Sequence, residues 1–448
     1  MNLPAREGRS DRIKIARESY IWLNAHRCAA SDDVAQMCVD IAQMIENYEV
    51  SDFAPAKLRR KRRRRDSEKK PDKTNFRLLV EAVLCDLAHH HAIDPGGWLV
   101  VSRDRGQLSS RSRYKPAYLG KALPHLLDIL AQPEIGFIEQ RLGQHVRGTD
   151  FGTTTMIRPT QKLIDRYEQH DADMYSTKLR PGEEVIVLRG NFGDDDRNPR
   201  AWLQYEDDEQ TNKLRADLRR INDYLERALD VFDIDVDDVN LPPGIDPTAV
   251  RMRRFFTFRS FEKGGRLYRG FWQGLPRRTR QDVLTLQGEP VITLDFSQAA
   301  LRIAYGLAGA DLPPGDGYSI DGLEGNRTGV KKLVNSMFFP RDPNWKTKIP
   351  FSIVKKLPNI AERDILSAIR DRHPALAEHW WTDIGHRIQR VESDIIVDCL
   401  LQCVERDIVA LQVHDALIIP RSAEADVKEI MLESFERIAG VPAEVDWD

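Results

Sequence analysis

Two short segments of the 448-residue chain place carboxylates where strands end. VITLDFSQAALRIAYGL (291–307) reads as an apolar strand that delivers Asp295 at its end and passes directly into a helix. IVALQVHDALIIP (408–420) reads as two short strands meeting at a tight turn that holds His414 and Asp415. Between them, RTGVKKLVNSMFFP (327–340) reads as a helix stopped by Pro340. Arg327 and Lys331 stand four apart, so both leave from one face of it.

These residue types suit one kind of chemistry. Two carboxylates at the ends of neighbouring strands can share two Mg²⁺ ions ~3.5–4 Å apart, which activate a 3′-hydroxyl and neutralise charge on phosphorus and departing pyrophosphate. Mg²⁺ fits because it binds through one or two carboxylates together with phosphate oxygens and water; Mn²⁺ is the expected substitute. Arg327 and Lys331 would clamp the triphosphate. Each element alone has a plainer explanation. Asp295 before Ser297 can cap a helix, an Arg/Lys pair is often a solvated face, and His-Asp in a hairpin can be turn chemistry. All three in this order are harder to explain so.

LDFSQAALR resembles motif A of the family A DNA polymerases, the bacterial polymerase-I type, and LQVHDALII resembles their motif C. R-x-x-x-K followed by an aromatic eight residues on is similar to motif B, and FEKGGRLYRGFWQGLP (261–276) to the family's T-G-R-L…Q-N-I-P segment. The resemblance covers about 250–448. It implies Asp295 and Asp415 as metal ligands with the Phe296 carbonyl as a third, and Arg327 and Lys331 on the incoming triphosphate, Lys331 also as general acid. It further implies Phe339 near the nascent base pair, His414 beside the primer terminus, and Arg266 and Gln273 against the primer–template minor groove.

Three positions depart from the family. Ala300 stands where motif A has a Glu, and Phe339 where the sugar-selecting Tyr stands, so weak discrimination between deoxy- and ribonucleotides is expected. Ala416 replaces the second acid of motif C, and Asn335 the mid-helix aromatic or apolar residue. No acidic pair on an upstream strand looks like a 3′–5′ exonuclease site, so proofreading is not expected.

The scaffold expected around these residues is α+β: a right-hand polymerase palm with an antiparallel sheet and short helical fingers, after a helical, winged-helix-like N-terminal region. The expected divisions are a helical piece (1–56), a basic linker (57–75), a winged-helix-like module (76–170), an acidic loop with a thumb-like helix (171–250), and palm with fingers (251–448). Eight of the nine residues from Lys57 to Arg65 are basic, a run that reads as a tether or a phosphate-gripping arm. In 76–170, GFIEQRLG (136–143) and TTTMIRPT (153–160) look like a hairpin carrying Arg141, Arg147 and Arg158, with Arg158 as a DNA contact or merely structural. Leu214, Leu218, Ile221, Leu225 and Leu229 mark one helix face. The acidic loop ahead of it, including Asp194 to Asp196 and Glu206 to Glu209, reads as solvated surface.

Net charge is −3 overall, yet residues 1–75 carry 17 basic against 12 acidic groups, 171–250 carry 10 against 20, and 251–280 hold ten Lys/Arg and one acid. The near-neutral total thus conceals sorted surfaces, and Arg251 to Arg280 are expected to line a duplex channel. Five scattered cysteines, no signal-peptide pattern and no apolar run of membrane length point to a cytoplasmic, membrane-free protein. Cys85 and His89, four apart, make half a zinc site at most. The expected partners are a primed DNA template and nucleoside triphosphates, in replication or a related process. The rivals are a ribonucleotide-using RNA polymerase or primase-like enzyme, and a catalytically silent DNA-binding initiator or defence protein.

Overall fold

A computed structural model describes residues 21–67, 70–144, 153–190, 201–231, 233–236, 241–340 and 349–447. Arg147 and Asp194 to Asp196, singled out above, lie outside the described residues. The chain divides into two compact units, Met1–Glu183 and Glu184–Asp448, mixing helices with several small sheets.

In the first unit, helices Asp32–Tyr48 and Asp72–Ile93 share one core, with Val34, Met37, Ile41 and Ile45 of the first meeting Leu79, Val83 and Leu87 of the second. Ser31 caps the first helix, its hydroxyl accepting from the Val34 amide at 3.3 Å. A four-stranded sheet runs Ile21–Trp22, Leu99–Val101, Thr155–Pro159, Ile138–Arg141; only the first pair is parallel. The expected hairpin is present, but its sheet and the helices on either side belong to one core, so 1–56 and 76–170 are not separate bodies.

Residues 57–73 differ most from the expected linker. The Arg64 side chain is 3% exposed. It donates to Glu49 at 2.7 and 3.0 Å and to Asp72 at 3.2 Å, and lies 3.6 Å over the Phe76 ring. A buried guanidinium so matched fixes the backbone around it. Burial pushes the Glu49 carboxyl up, but His125 and Arg64 together hold it below its ordinary value.

In the second unit the main sheet is antiparallel, in the order Ile234–Val236, Leu284–Leu286, Glu289–Phe296, Ala416–Pro420, Leu411–Val413. Strand Val445–Trp447 pairs with the last residues of Glu289–Phe296. Helices Ala299–Ala308, Ile384–Glu405 and Glu424–Ala439 supply Leu301, Ile395, Leu400, Ile430 and Phe435 to the core beneath. A second sheet joins Ser260–Tyr268, Arg253–Thr257 and Ile186–Leu188.

Helix Glu209–Asp230 buries Leu214, Leu218, Ile221 and Leu225, as their spacing predicts. The acidic residues before it are not idle surface. Asp208 closes a capping box with Thr211, and Asp207 pairs with Arg215 at 2.6 Å, while Glu184 holds the same arginine at 3.1 Å. This helix belongs to the core of the second unit, where Arg220 reaches Glu405 at 3.2 Å. Among the described residues no helix is long and apolar enough to cross a membrane.

Candidate active site

Strand register brings the two carboxylate segments together. Val291 pairs with Pro420 and the ladder runs without a slip to Asp295 opposite Ala416. Asp415 directly precedes Ala416, so both aspartates stand at one end of adjacent strands spaced about 4.8 Å apart. The hairpin closes with two residues, His414 and Asp415, between the paired Val413 and Ala416. His414 takes φ 58° and is exposed, as tight hairpins require of their first central position.

Asp295 does not cap the following helix. It sits inside the strand, three residues before Gln298, the residue at the cap position. The rest of the motif builds the junction. Gln298 adopts φ 60° and its side chain accepts from the Gly317 amide at 2.7 Å. Arg302 donates to the carbonyls of Ser297 and Pro442, each at 3.0 Å, and pairs with Glu444 at 2.8 Å. Phe296 turns its ring into the core, 5.0 Å from Phe435, which fixes its carbonyl at the strand end. Ala300 is half-buried in the first turn of the helix.

On the far side of Asp295 the C-terminal strand places Asp446 directly opposite. Its carboxylate accepts from the Ser297 hydroxyl at 2.7 Å. Asp446 is an acid that sequence patterns do not pick out, because a three-residue terminal strand leaves almost no periodicity to read.

The helix carrying the cations spans Arg327–Met337, ending before Phe339 rather than running to Pro340. Arg327 and Lys331 are exposed on it. Arg327 rests on the Asp316 carboxylate. Burial raises the Asp316 carboxyl, but Arg327, the Tyr318 amide and the nearby Lys331 charge bring it below its ordinary value. Tyr318 is buried, donates to Asn335 at 3.2 Å, and has the Arg327 guanidinium 5.6 Å from its ring centre. Burial holds the Tyr318 proton on; Arg327 opposes this, and the Asp316 and Asp415 charges reinforce it. Tyr318 therefore lies within the fields of both Arg327 and Asp415. Phe339, past the helix end, packs its ring over Gly385, where a Cβ would come within 2.5 Å, and edge-on to His386 at 5.0 Å.

Arg266 and Gln273 both connect to the aspartate turn. Arg266 donates to both oxygens of Glu392, at 2.9 and 3.0 Å. Glu392 is buried on helix Ile384–Glu405; burial pushes its carboxyl up, Arg266 opposes this and Asp415 adds to it. Gln273 donates to the Gln412 side chain at 2.6 Å, and Gln412 donates to the His414 carbonyl at 2.8 Å. Trp272 adds a bond to the Gln412 carbonyl at 2.8 Å. Gln273, expected from the resemblance to face nucleic acid, thus braces the turn through Gln412. Glu392 and Gln412 escape sequence inspection because their partners are 126 and 139 residues away.

Arg158 belongs to the first unit. It pairs with Glu139 at 2.7 Å and flanks the Trp98 ring at 4.6 Å, with Arg141 at 4.2 Å. Cys85 lies 3.8 Å from Cys38, and His89 meets Met174 and Thr177 rather than a metal partner.

Among the described residues no group of three or more His, Cys, Asp or Glu is close enough to hold a metal by itself. That excludes a closed zinc-type cage there. Two carboxylates plus a backbone carbonyl still suit Mg²⁺, which completes its shell with water and phosphate oxygens.

No family model and no curated protein matches the chain. Among solved structures it is similar to the POL domain of Pol1 from M. smegmatis in complex with DNA primer-template and dNTP. The TM-score is 0.30 and the identity 14%, over 53% of this chain and 50% of that one. The match thus spans about half the length of that structure, and a likeness at this level assigns no activity.

Proposed function

We propose that the chain is a template-directed nucleotidyltransferase of the family A DNA polymerase type, without proofreading and with weak sugar selection. The observation that carries the reading is the ladder setting Asp295 opposite Ala416, beside Asp415. Asp295, Asp415 and the Phe296 carbonyl would hold Mg²⁺, or Mn²⁺ in its place. Bound there, the metal supplies Lewis-acid activation of a 3′-hydroxyl and neutralises the charge that develops on phosphorus and pyrophosphate.

The chain's own groups do the rest. The exposed Arg327 leaves the half-buried Asp316 carboxylate for the more highly charged triphosphate, a site a planar guanidinium suits. Lys331, one turn along the same face, adds a point charge and holds the proton that the leaving pyrophosphate takes at Nζ. His414 stands at the turn beside the primer terminus, and Arg266 and Gln273, braced on Glu392 and Gln412, orient the primer–template. Ala300 offers no carboxylate and Phe339 no phenol to a 2′-hydroxyl, which favours ribonucleotide acceptance as a second reading.

Extension of a primed DNA template with deoxy- or ribonucleotide pools, with Asp295→Ala as control, tests both. Incorporation from either pool that vanishes in the variant supports the proposal. Strong deoxynucleotide preference would overturn weak sugar selection, and duplex binding with no incorporation from any pool would favour a silent DNA-binding protein.

A further inference from the structure

Helix Arg327–Met337 buries Val330, Leu333, Val334 and Met337 and leaves Arg327, Lys331 and Asn335 on a more open face. These last three stand four apart, so they leave from one side of the helix. Asn335 lies about 6 Å further along the axis than Lys331. It puts a half-buried carboxamide in line with the two cations.

That amide is held in one orientation. Tyr318, 1% exposed, donates to its Oδ1 at 3.2 Å, the only side-chain bond of Asn335 among the described residues. With the oxygen so engaged, the two Nδ2 hydrogens are left to donate elsewhere.

Tyr318 is fixed in turn, because the segment before it is pressed onto the helix that follows Asp295. The Gly317 amide donates to Gln298 at 2.7 Å, and a Cβ on Gly317 would run into the Leu301 side chain. The Gly317 carbonyl accepts from His373 Nε2 at 2.8 Å. His373 is fully buried, which disfavours its imidazolium, so Nδ1 is left to accept the Tyr305 hydroxyl at 2.9 Å.

The Tyr318–Asn335 pair borders the space between the cations and the aspartates. The Arg327 guanidinium lies 5.6 Å from the Tyr318 ring centre, and the charge of Asp415 reaches the same phenol. A nucleotide held by Arg327 and Lys331 at its outer phosphates, and by the aspartates at the phosphate that reacts, carries its sugar between these groups.

We propose that Asn335, aimed by Tyr318, donates from Nδ2 to the 2′-hydroxyl of the incoming nucleotide and tilts the weak sugar selection toward ribonucleotides. Asn335 is then the specificity-determining group, and Tyr318 a positioning residue behind it. The inference rests on the polymerase reading and names its preferred substrate class. Ala300 and Phe339 bring no polar side-chain group to that hydroxyl, and Asn335 brings one. One neutral hydrogen bond of this kind is worth about tenfold, since a deoxynucleotide leaves the amide unpaired.

The test is equilibrium binding of ATP, 2′-deoxyATP and 3′-deoxyATP to the full chain on a primer–template with thymine next to be copied. The primer ends in a dideoxynucleotide, so no bond forms and the readout is independent of catalysis. ATP and 3′-deoxyATP should bind about tenfold more tightly than 2′-deoxyATP. Asn335→Leu, similar in volume, should bring the ratio of ATP to 2′-deoxyATP affinity to about one. Tyr318→Phe, which keeps the ring and loses the hydroxyl, should bring it part of the way. A wild-type ratio near one, or a ratio unchanged in both variants, would overturn the proposal. So would ATP and 2′-deoxyATP weakened by the same factor, the mark of a merely structural role. Those results leave the polymerase reading standing, whereas binding of duplex but of no nucleotide would overturn both.

Discussion

The tracts 57–65 and 251–280 are both densely basic, and they meet different partners. In the first, Arg64 turns inward between Glu49, Asp72 and Phe76, while Arg59 and Arg60 find Asp52 and Asp72 at 3.1 Å each. In the second, Arg254 and Arg266 are anchored by Asp394 and Glu392, but Arg253 and Arg269 lie against the exposed Trp202 ring. The same composition therefore makes a structural joint in one unit and a ring-and-cation surface in the other. What differs is the surroundings that are seen: Glu49 and Asp72 hold Arg64 in the first tract, and the Trp202 ring stands beside Arg253 and Arg269 in the second.

The largest effect on stability is expected in the first tract. Glu49→Gln leaves the buried Arg64 with Asp72 as its remaining charged partner among the described residues, and should destabilise the first unit by about 3 kcal/mol or more. Hydrogen exchange in helices Asp32–Tyr48 and Asp72–Ile93 would read it, and unchanged protection would return the tract to the status of a tether. The same pair predicts acid sensitivity. Because the Glu49 carboxyl lies lower in the folded state, its contribution is full above the unfolded value of about 4.3 and fades as pH falls through the folded one. Glu49→Gln should flatten that part of the pH profile.

Arg266→Ala tests the second tract. Glu392 would lose its bidentate partner, but Arg266 is 31% exposed, so solvent screening reduces the loss to about 1–2 kcal/mol. Adding Glu392→Gln should recover part of it, and strict additivity in that double-mutant cycle would contradict the coupling. The smallest effect belongs to Arg158→Ala, whose pair with Glu139 is exposed: less than about 1 kcal/mol by thermal denaturation.

How legible each residue was follows from how local its cause is. Asp295 and Asp415 could be read because a strand, a tight turn and a helix start announce themselves over a few residues. The leucine stripe of Glu209–Asp230 was equally plain, and the structure buries it as spaced. Arg64 could not be read as a joint, since a run of like charges looks solvated until Glu49, 15 residues earlier, is brought alongside. Asp446 was hidden because only pairing with Glu289–Phe296 makes Val445–Trp447 a strand. Phe258 carries no signal in the sequence, because its positive φ is a property of the folded hairpin alone. Phe339 fell inside a continuous helical pattern, yet the helix ends at Met337 and the ring packs on Gly385.

The central claim is that Asp295 and Asp415, set side by side by the antiparallel ladder, form one site for nucleotidyl transfer. It is tested most directly by single-turnover, Mg²⁺-dependent extension of a primed template by wild type and Asp415→Ala, with circular dichroism confirming equal folding. Wild type should extend the primer, and the variant should lose more than the ~100-fold typical of an outer-shell metal contact. Equal extension by both, or no metal-dependent extension by wild type, would contradict it.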